Sequence, residues 1–106
     1  YPINHCVVVR RSLLEKYPWI ALNLYSAFQR AKQEVATVAR GHLLPYLDAG
    51  LLDAGAAGAL KKDPLAYGVT AARPVLETIT QYVHEQGLTR RRVKLDEIFA
   101  PSTMDV

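Results

Sequence analysis

The sequence predicts a mostly α-helical chain with one amino-terminal β-strand. Three observations carry this reading. A β-branched apolar run, INHCVVV at residues 3–9, opens the chain and is closed by Arg10, Arg11 and Ser12. Apolar residues then recur at spacings of three and four over two long stretches, the mark of helices with one apolar face. The next best strand candidate, RVKL at residues 92–95, is short, weakly alternating and set in a basic segment. A single strand cannot satisfy its own backbone donors and acceptors. The opening run therefore asks for partners outside these residues, which reads as a piece of a larger protein.

The elements follow in order. The strand spans residues 3–9, and its continuous apolar character suits burial on both faces. Cys6 lies inside it and reads as a buried, reduced thiol, which points to the cytoplasm. Ser12 and Glu15 have the spacing of a capping box, so a short helix is expected over 13–17. Pro18 suits the first turn of the next helix, over 18–40, with Ile20, Leu24, Phe28, Ala31, Val35 and Val38 as its buried stripe. Its first half adds Trp19, Leu22 and Tyr25 off that stripe, and burial from more than one side is expected there. Gly50, Gly55 and Gly58 each cost a helix about 1 kcal/mol relative to alanine, so residues 53–63 read as a mobile loop. Thr70 caps a helix over 71–86, stopped by Gly87 in a left-handed conformation with Leu88 packing back. A last helical turn is expected over 96–99, followed by a frayed tail.

Composition bounds the function. Half of the 106 residues are apolar and 22% are charged, the mix of one globular domain. A net charge of +3 is too small to imply nucleic acid. Arg90, Arg91, Arg92 and Lys94 have no interleaved aromatic surface and read as a solvated basic face. His42 and His84 sit in separate segments with no carboxylate or thiol at a ligand spacing, so no metal site is expected from these residues. No signal peptide and no membrane span are visible.

Several stretches carry a resemblance: INHCVVVRRSLLEKYPWIALNLYSAF, DPLAYGVTAARPVLETITQYVHEQGL and RRVKLDEIFAPST. They resemble the carboxy-terminal third of the 4,5-dihydroxyphthalate decarboxylase family, with the Ala/Gly-rich middle the poorest part. The resemblance implies an α/β fold for the intact protein, of the two-lobed type II periplasmic-binding-protein-like kind, in which INHCVVV is a strand returning from the second lobe. It implies a carboxy-lyase acting without an organic cofactor, converting 4,5-dihydroxyphthalate to protocatechuate and CO2 in aromatic catabolism. Ala72 stands where family members often carry asparagine.

Losing CO2 from such an acid needs electron push from a ring hydroxyl and a proton delivered to the ring carbon. A group titrating near neutrality suits both transfers. His5 is the candidate, against a histidine merely satisfied by backbone at a strand end. Arg73, beside the expected helix start at Thr70, is the candidate for a substrate carboxylate, against a solvated arginine. Tyr67 offers a hydroxyl or an aromatic wall, against a packing residue with a wet tip. Two other classes stay open: a solute-binding protein holding a small carboxylic acid without chemistry, which would be periplasmic, and a free-standing helical interaction domain. A small aromatic carboxylate is the expected partner, with no nucleic acid and no membrane. These residues alone are expected to be inactive and to self-associate through the strand edge and the apolar helix face.

Overall fold

The computed structural model of the chain describes residues 5–60, 62–63 and 65–106. Among the described residues five helices and one 3-10 turn follow one another: α1 Arg11–Lys16, α2 Ile20–Asp48, α3 Ala54–Leu60, α4 Val69–Glu85, α5 Leu95–Ile98, and the 3-10 turn Pro101–Thr103. They divide into two compact units, one made of Tyr1–Tyr25 with Tyr67–Val106 and the other of Ser26–Ala66.

No strand forms among the described residues, which corrects the expected amino-terminal strand. Ile3 and Asn4 lie outside the described residues, and residues 5–10 run without regular structure. The physical reason is the ladder. Val7, Val8 and Val9 have the side chains of a strand, but among the described residues no second strand accepts their backbone hydrogen bonds. Val8 is accordingly 90% exposed, and Cys6, expected to be buried, is exposed as well.

Helix α1 begins one residue before Ser12 and without a side-chain cap, so the expected capping box does not form. The Leu13 and Leu14 amides donate instead to the Arg10 carbonyl at 3.0 and 3.1 Å. Tyr17 and Trp19 tilt against each other with ring centroids 5.8 Å apart where α1 gives way to α2. Trp19 and Leu22 are nevertheless exposed, against the expected burial of this stretch from several sides.

Helix α2 runs well past residue 40, through Gly41 and Pro45. Its end has a local cause. Gly50 adopts φ +70, its amide donates to Leu47 at 3.0 Å and the Leu51 amide donates to Tyr46 at 2.9 Å. These two bonds make a Schellman stop. In its Ser26–Ala66 portion α2 buries an unexpected side. Phe28, Val35 and Val38 of the apolar stripe are exposed, while Gln29, Lys32, Ala36, Leu43 and Leu47 are half-buried. Lys32 is held there by Asp63, at 2.5 Å, and by the Leu65 carbonyl.

Helix α3 occupies most of the stretch expected to be a mobile loop. Asp53 makes the difference: its carboxylate accepts from the Ala56 amide at 2.7 Å and its carbonyl from the Ala57 amide at 3.0 Å. An aspartate cap contributes about 1 kcal/mol, and the alanines between the glycines carry the best helix propensity, so together they offset much of the glycine cost.

Helix α4 starts at Val69, and its N-cap is Gly68 at φ +108, with no side-chain cap from Thr70. Thr70 lies inside the first turn and donates its amide to the Val106 carbonyl at 2.8 Å. Any Cβ at residue 68 would lie 2.6 Å from the Val106 carbonyl carbon and oxygen. Glycine is thus needed twice, for its conformation and for the close approach. The tail expected to be frayed is instead bound through Val106 and through Met104. At the far end of α4, Gly87 has φ +73, its amide donates to His84 at 2.9 Å and the Leu88 amide donates to Val83 at 3.0 Å. Val69 and Leu95, 3% and 7% exposed, are the buried hydrophobic residues among those described.

Candidate functional site

Helix α4 carries Arg73, Glu77 and Thr80 at positions i, i+4 and i+7, which share one face. The segment leading into α5 passes alongside, because Arg92 Nη2 donates to the Glu77 carbonyl at 3.1 Å. Between them lies an open depression of about 520 Å3. That volume falls in the range of about 300–1,000 Å3 usual for small-molecule sites. Five charged side chains line it: the cations Arg73, Arg92 and Lys94, and the carboxylates Glu77 and Asp96. Val93, Leu95 and Met104 add apolar surface.

The segment from residue 91 to residue 97 is held by a bidentate pair. Arg91 donates to the two Glu97 oxygens at 2.9 and 2.5 Å. Glu97 also accepts from the Lys94 amide at 2.8 Å, the returning half of a capping box. The other half is missing, since an ammonium has no lone pair with which to accept. The Arg91 guanidinium, and after it the Lys94 amide, hold the Glu97 carboxyl down at about 2, well below its ordinary range.

Arg73 is the one candidate residue from the sequence that lines this depression. It is half-buried, and its Nη2 donates to the Met104 carbonyl at 3.3 Å. One carbonyl engages one of five guanidinium donors, so the group retains capacity for a carboxylate. His5 is exposed in the irregular segment before α1, and neither His5 nor Tyr67 contributes to the lining. Tyr67 is 43% exposed and immediately precedes the constrained Gly68. The structure therefore does not bring the three candidates together.

Sequence reasoning missed Glu77 and Asp96, and it assigned Arg92 and Lys94 to a solvated face. The available signal was the Gly87 stop followed at once by a basic run, a reversal that returns those cations toward the helix they have just left. A second depression, of about 390 Å3, is lined by α2 residues alone, among them Arg30, Glu34 and Val38, and has no facing wall. Among the described residues, no three His, Cys, Asp or Glu side chains gather as a metal site, and no helix is long and apolar enough to cross a membrane.

The first depression offers a ligand both cationic donors and carboxylate acceptors. Its lining holds no histidine. No protein-family model matches the chain. No solved structure matches it. A protein of Comamonas testosteroni named 4,5-dihydroxyphthalate decarboxylase is 28% identical over 110 aligned residues, covering 99% of this chain and 33% of its own length. The chain thus spans about a third of the relative it matches, and its similarity to that protein extends from one end of these residues to the other.

Proposed function

We propose that the chain contributes to a decarboxylase acting on a hydroxylated aromatic dicarboxylic acid, with 4,5-dihydroxyphthalate as the first substrate to try. The observation that carries this reading is the similarity to the Comamonas testosteroni protein over 99% of the chain. The cationic side of the depression supports it, because a dicarboxylate needs fixed donors and Arg73 supplies a planar fork suited to a carboxylate.

In this reaction a ring hydroxyl gives up its proton, and the electron density it releases lets the ring carbon that bears the carboxylate take a proton. The bond between that carbon and the carboxylate then breaks, its electron pair returns to the ring, CO2 leaves, and the hydroxyl is restored with its proton. His5 is proposed as the proton-handling group, Arg73 as the carboxylate anchor and Tyr67 as a ligand contact. Residues equivalent to the remainder of the relative are proposed to complete the site, so that these 106 residues are inactive alone and self-associate. The setting proposed for such a catabolic enzyme is the cytoplasm.

The test is to incubate the chain, alone and within any longer polypeptide that carries it, with 4,5-dihydroxyphthalate and to follow acid and product by chromatography. Product that disappears with His5→Ala and falls at least about tenfold with Arg73→Gln is the expected result. A depression with binding groups and no histidine favours a second reading, a carboxylate-binding protein without chemistry. Saturable binding with no product in any form of the protein would establish that reading in place of the first.

A further inference from the structure

The two sides of α2 are used differently within its unit. Between Ser26 and Asp48 the side turned toward the rest of that unit carries Gln29, Lys32 and Ala36, all half-buried, whereas Phe28, Ala31, Val35 and Val38 are exposed. These four follow one another at steps of three, four and three, the spacing of a 3.5-residue repeat. That period is the seam of a coiled coil, which a second helix covers by setting knobs into holes. Beside the seam, Arg30, Gln33, Glu34, Thr37 and Val38 line the open depression of about 390 Å3 that lacks a facing wall. Among the described residues Lys32 pairs with Asp63 and Arg91 with Glu97, and neither Arg30 nor Glu34 takes part in an ion pair.

We propose that this seam pairs with the same seam of a second copy, the two α2 helices running antiparallel about a two-fold axis at the level of Gln33. Phe28 then faces the partner's Val38 and Ala31 faces the partner's Val35, so that a larger side chain meets a smaller one in every layer. On one edge Arg30 is level with the partner's Glu34 to within about 3 Å along the axis, and symmetry repeats the pair. A parallel pair would set Glu34 against the partner's Ala39 and give Arg30 no acid. On the other edge Lys32 approaches the partner's Lys32, but Asp63 and the Leu65 carbonyl already hold its ammonium. The charge pattern thus selects a second copy and its direction. The inference rests on the self-association proposed above and deepens it with a surface and a register, whatever the ligand. So short a seam makes a small contact. The copies are expected to part at a dissociation constant on the order of 100 μM, and the dilute chain leaves the seam in solvent.

The experiment is sedimentation equilibrium of the 106-residue chain from about 5 to 500 μM, with circular dichroism to follow helix content. A monomer–dimer equilibrium is expected. Val35→Glu, at a residue 70% exposed, should keep the helix content and weaken the dimer at least about tenfold, because pairing would then bury unpaired charge. In a Cys6→Ser background, mixing Ala31→Cys chains with Val35→Cys chains should yield a disulfide under mild oxidation. Val38→Cys alone should not, since its two thiols would lie about 15 Å apart along the axis. A monomer throughout would overturn the inference and the self-association together. A dimer indifferent to Val35→Glu, or joined through Val38→Cys, would overturn the inference and leave self-association standing. The same mixed disulfide is expected in any longer polypeptide that carries the chain. If Val35→Glu unfolds that polypeptide and no cross-link forms, its other residues cover the seam and the inference falls.

Discussion

The unit of Tyr1–Tyr25 with Tyr67–Val106 contains the buried pair Val69 and Leu95, whereas no described side chain of the Ser26–Ala66 unit is buried. The first also draws on contacts between residues distant in sequence: Arg73 to Met104, Arg92 to Glu77 and Thr70 to Val106. The second relies on local devices, the Gly50 stop and the Asp53 cap, and on one distant anchor at Lys32. The difference teaches where a side chain matters. At Gly68, Val69 and Leu95 of the first unit a change of one methyl meets close neighbours; in the second, most positions open onto solvent and respond chiefly through helix propensity.

Two glycine substitutions test that contrast at its widest. Gly68→Ala places a Cβ against Val106 at a backbone φ of +108 and should destabilise the chain by about 2–4 kcal/mol. Gly41→Ala, where a Cβ meets nothing within 4 Å, should stabilise it by up to about 1 kcal/mol. Urea unfolding followed by circular dichroism reads both, and equal effects of one sign would erase the distinction between the units.

Truncation of apolar side chains sharpens the same comparison. Leu95→Ala should cost about 2–3 kcal/mol, because it empties a buried site. Val38→Ala, at a residue 61% exposed, should stay within about 0.5 kcal/mol. A larger loss at Val38 would mean that something covers the α2 stripe in solution, and sedimentation would show whether a second copy does so.

The smallest effect is that of pH. Glu97, held at about 2 by Arg91, and Asp63, lowered by its hydrogen bond to Lys32, are depressed carboxylates. Each pair contributes fully above the ordinary carboxylate range, and its contribution is lost as pH falls, for Glu97 through about 2. Both groups are exposed, so salt should shrink the effect. Carboxyl-carbon NMR titration reads each site, and a Glu97 midpoint near 4.5 would rule out the Arg91 pair.

Much of the helical framework was legible because its signals are local. Gly87 and Leu88 announce the end of α4, and the stop joins residues three and five apart. The same signal at Gly50 and Leu51 was available and was outweighed by Pro45 and Gly41, which α2 absorbs. Asp53 could have been read as a cap, since alanines follow it, but the glycines drew the reading toward a loop. The strand failed for a different reason: β-branched residues state a preference that only a paired neighbour can satisfy. Of the candidate site, Arg73 was found through its place near a helix start. Glu77 and Asp96 were missed because nothing in their own neighbourhoods distinguishes them from solvated acids.

By itself the sequence determined the existence of α1, α2, α4 and α5, the Gly87 stop and the similarity to an aromatic-acid decarboxylase, all of which are written in residues a few positions apart or in residue-by-residue correspondence. Only the tertiary structure decided which side of α2 is covered, why residue 68 must be glycine and which five charges share one depression. Those outcomes depend on contacts such as Arg73 to Met104 and Arg92 to Glu77, which span 31 and 15 residues. A contact of that span must offset the entropy of closing its loop, and whether it does depends on the packing around both ends rather than on the sequence at either one.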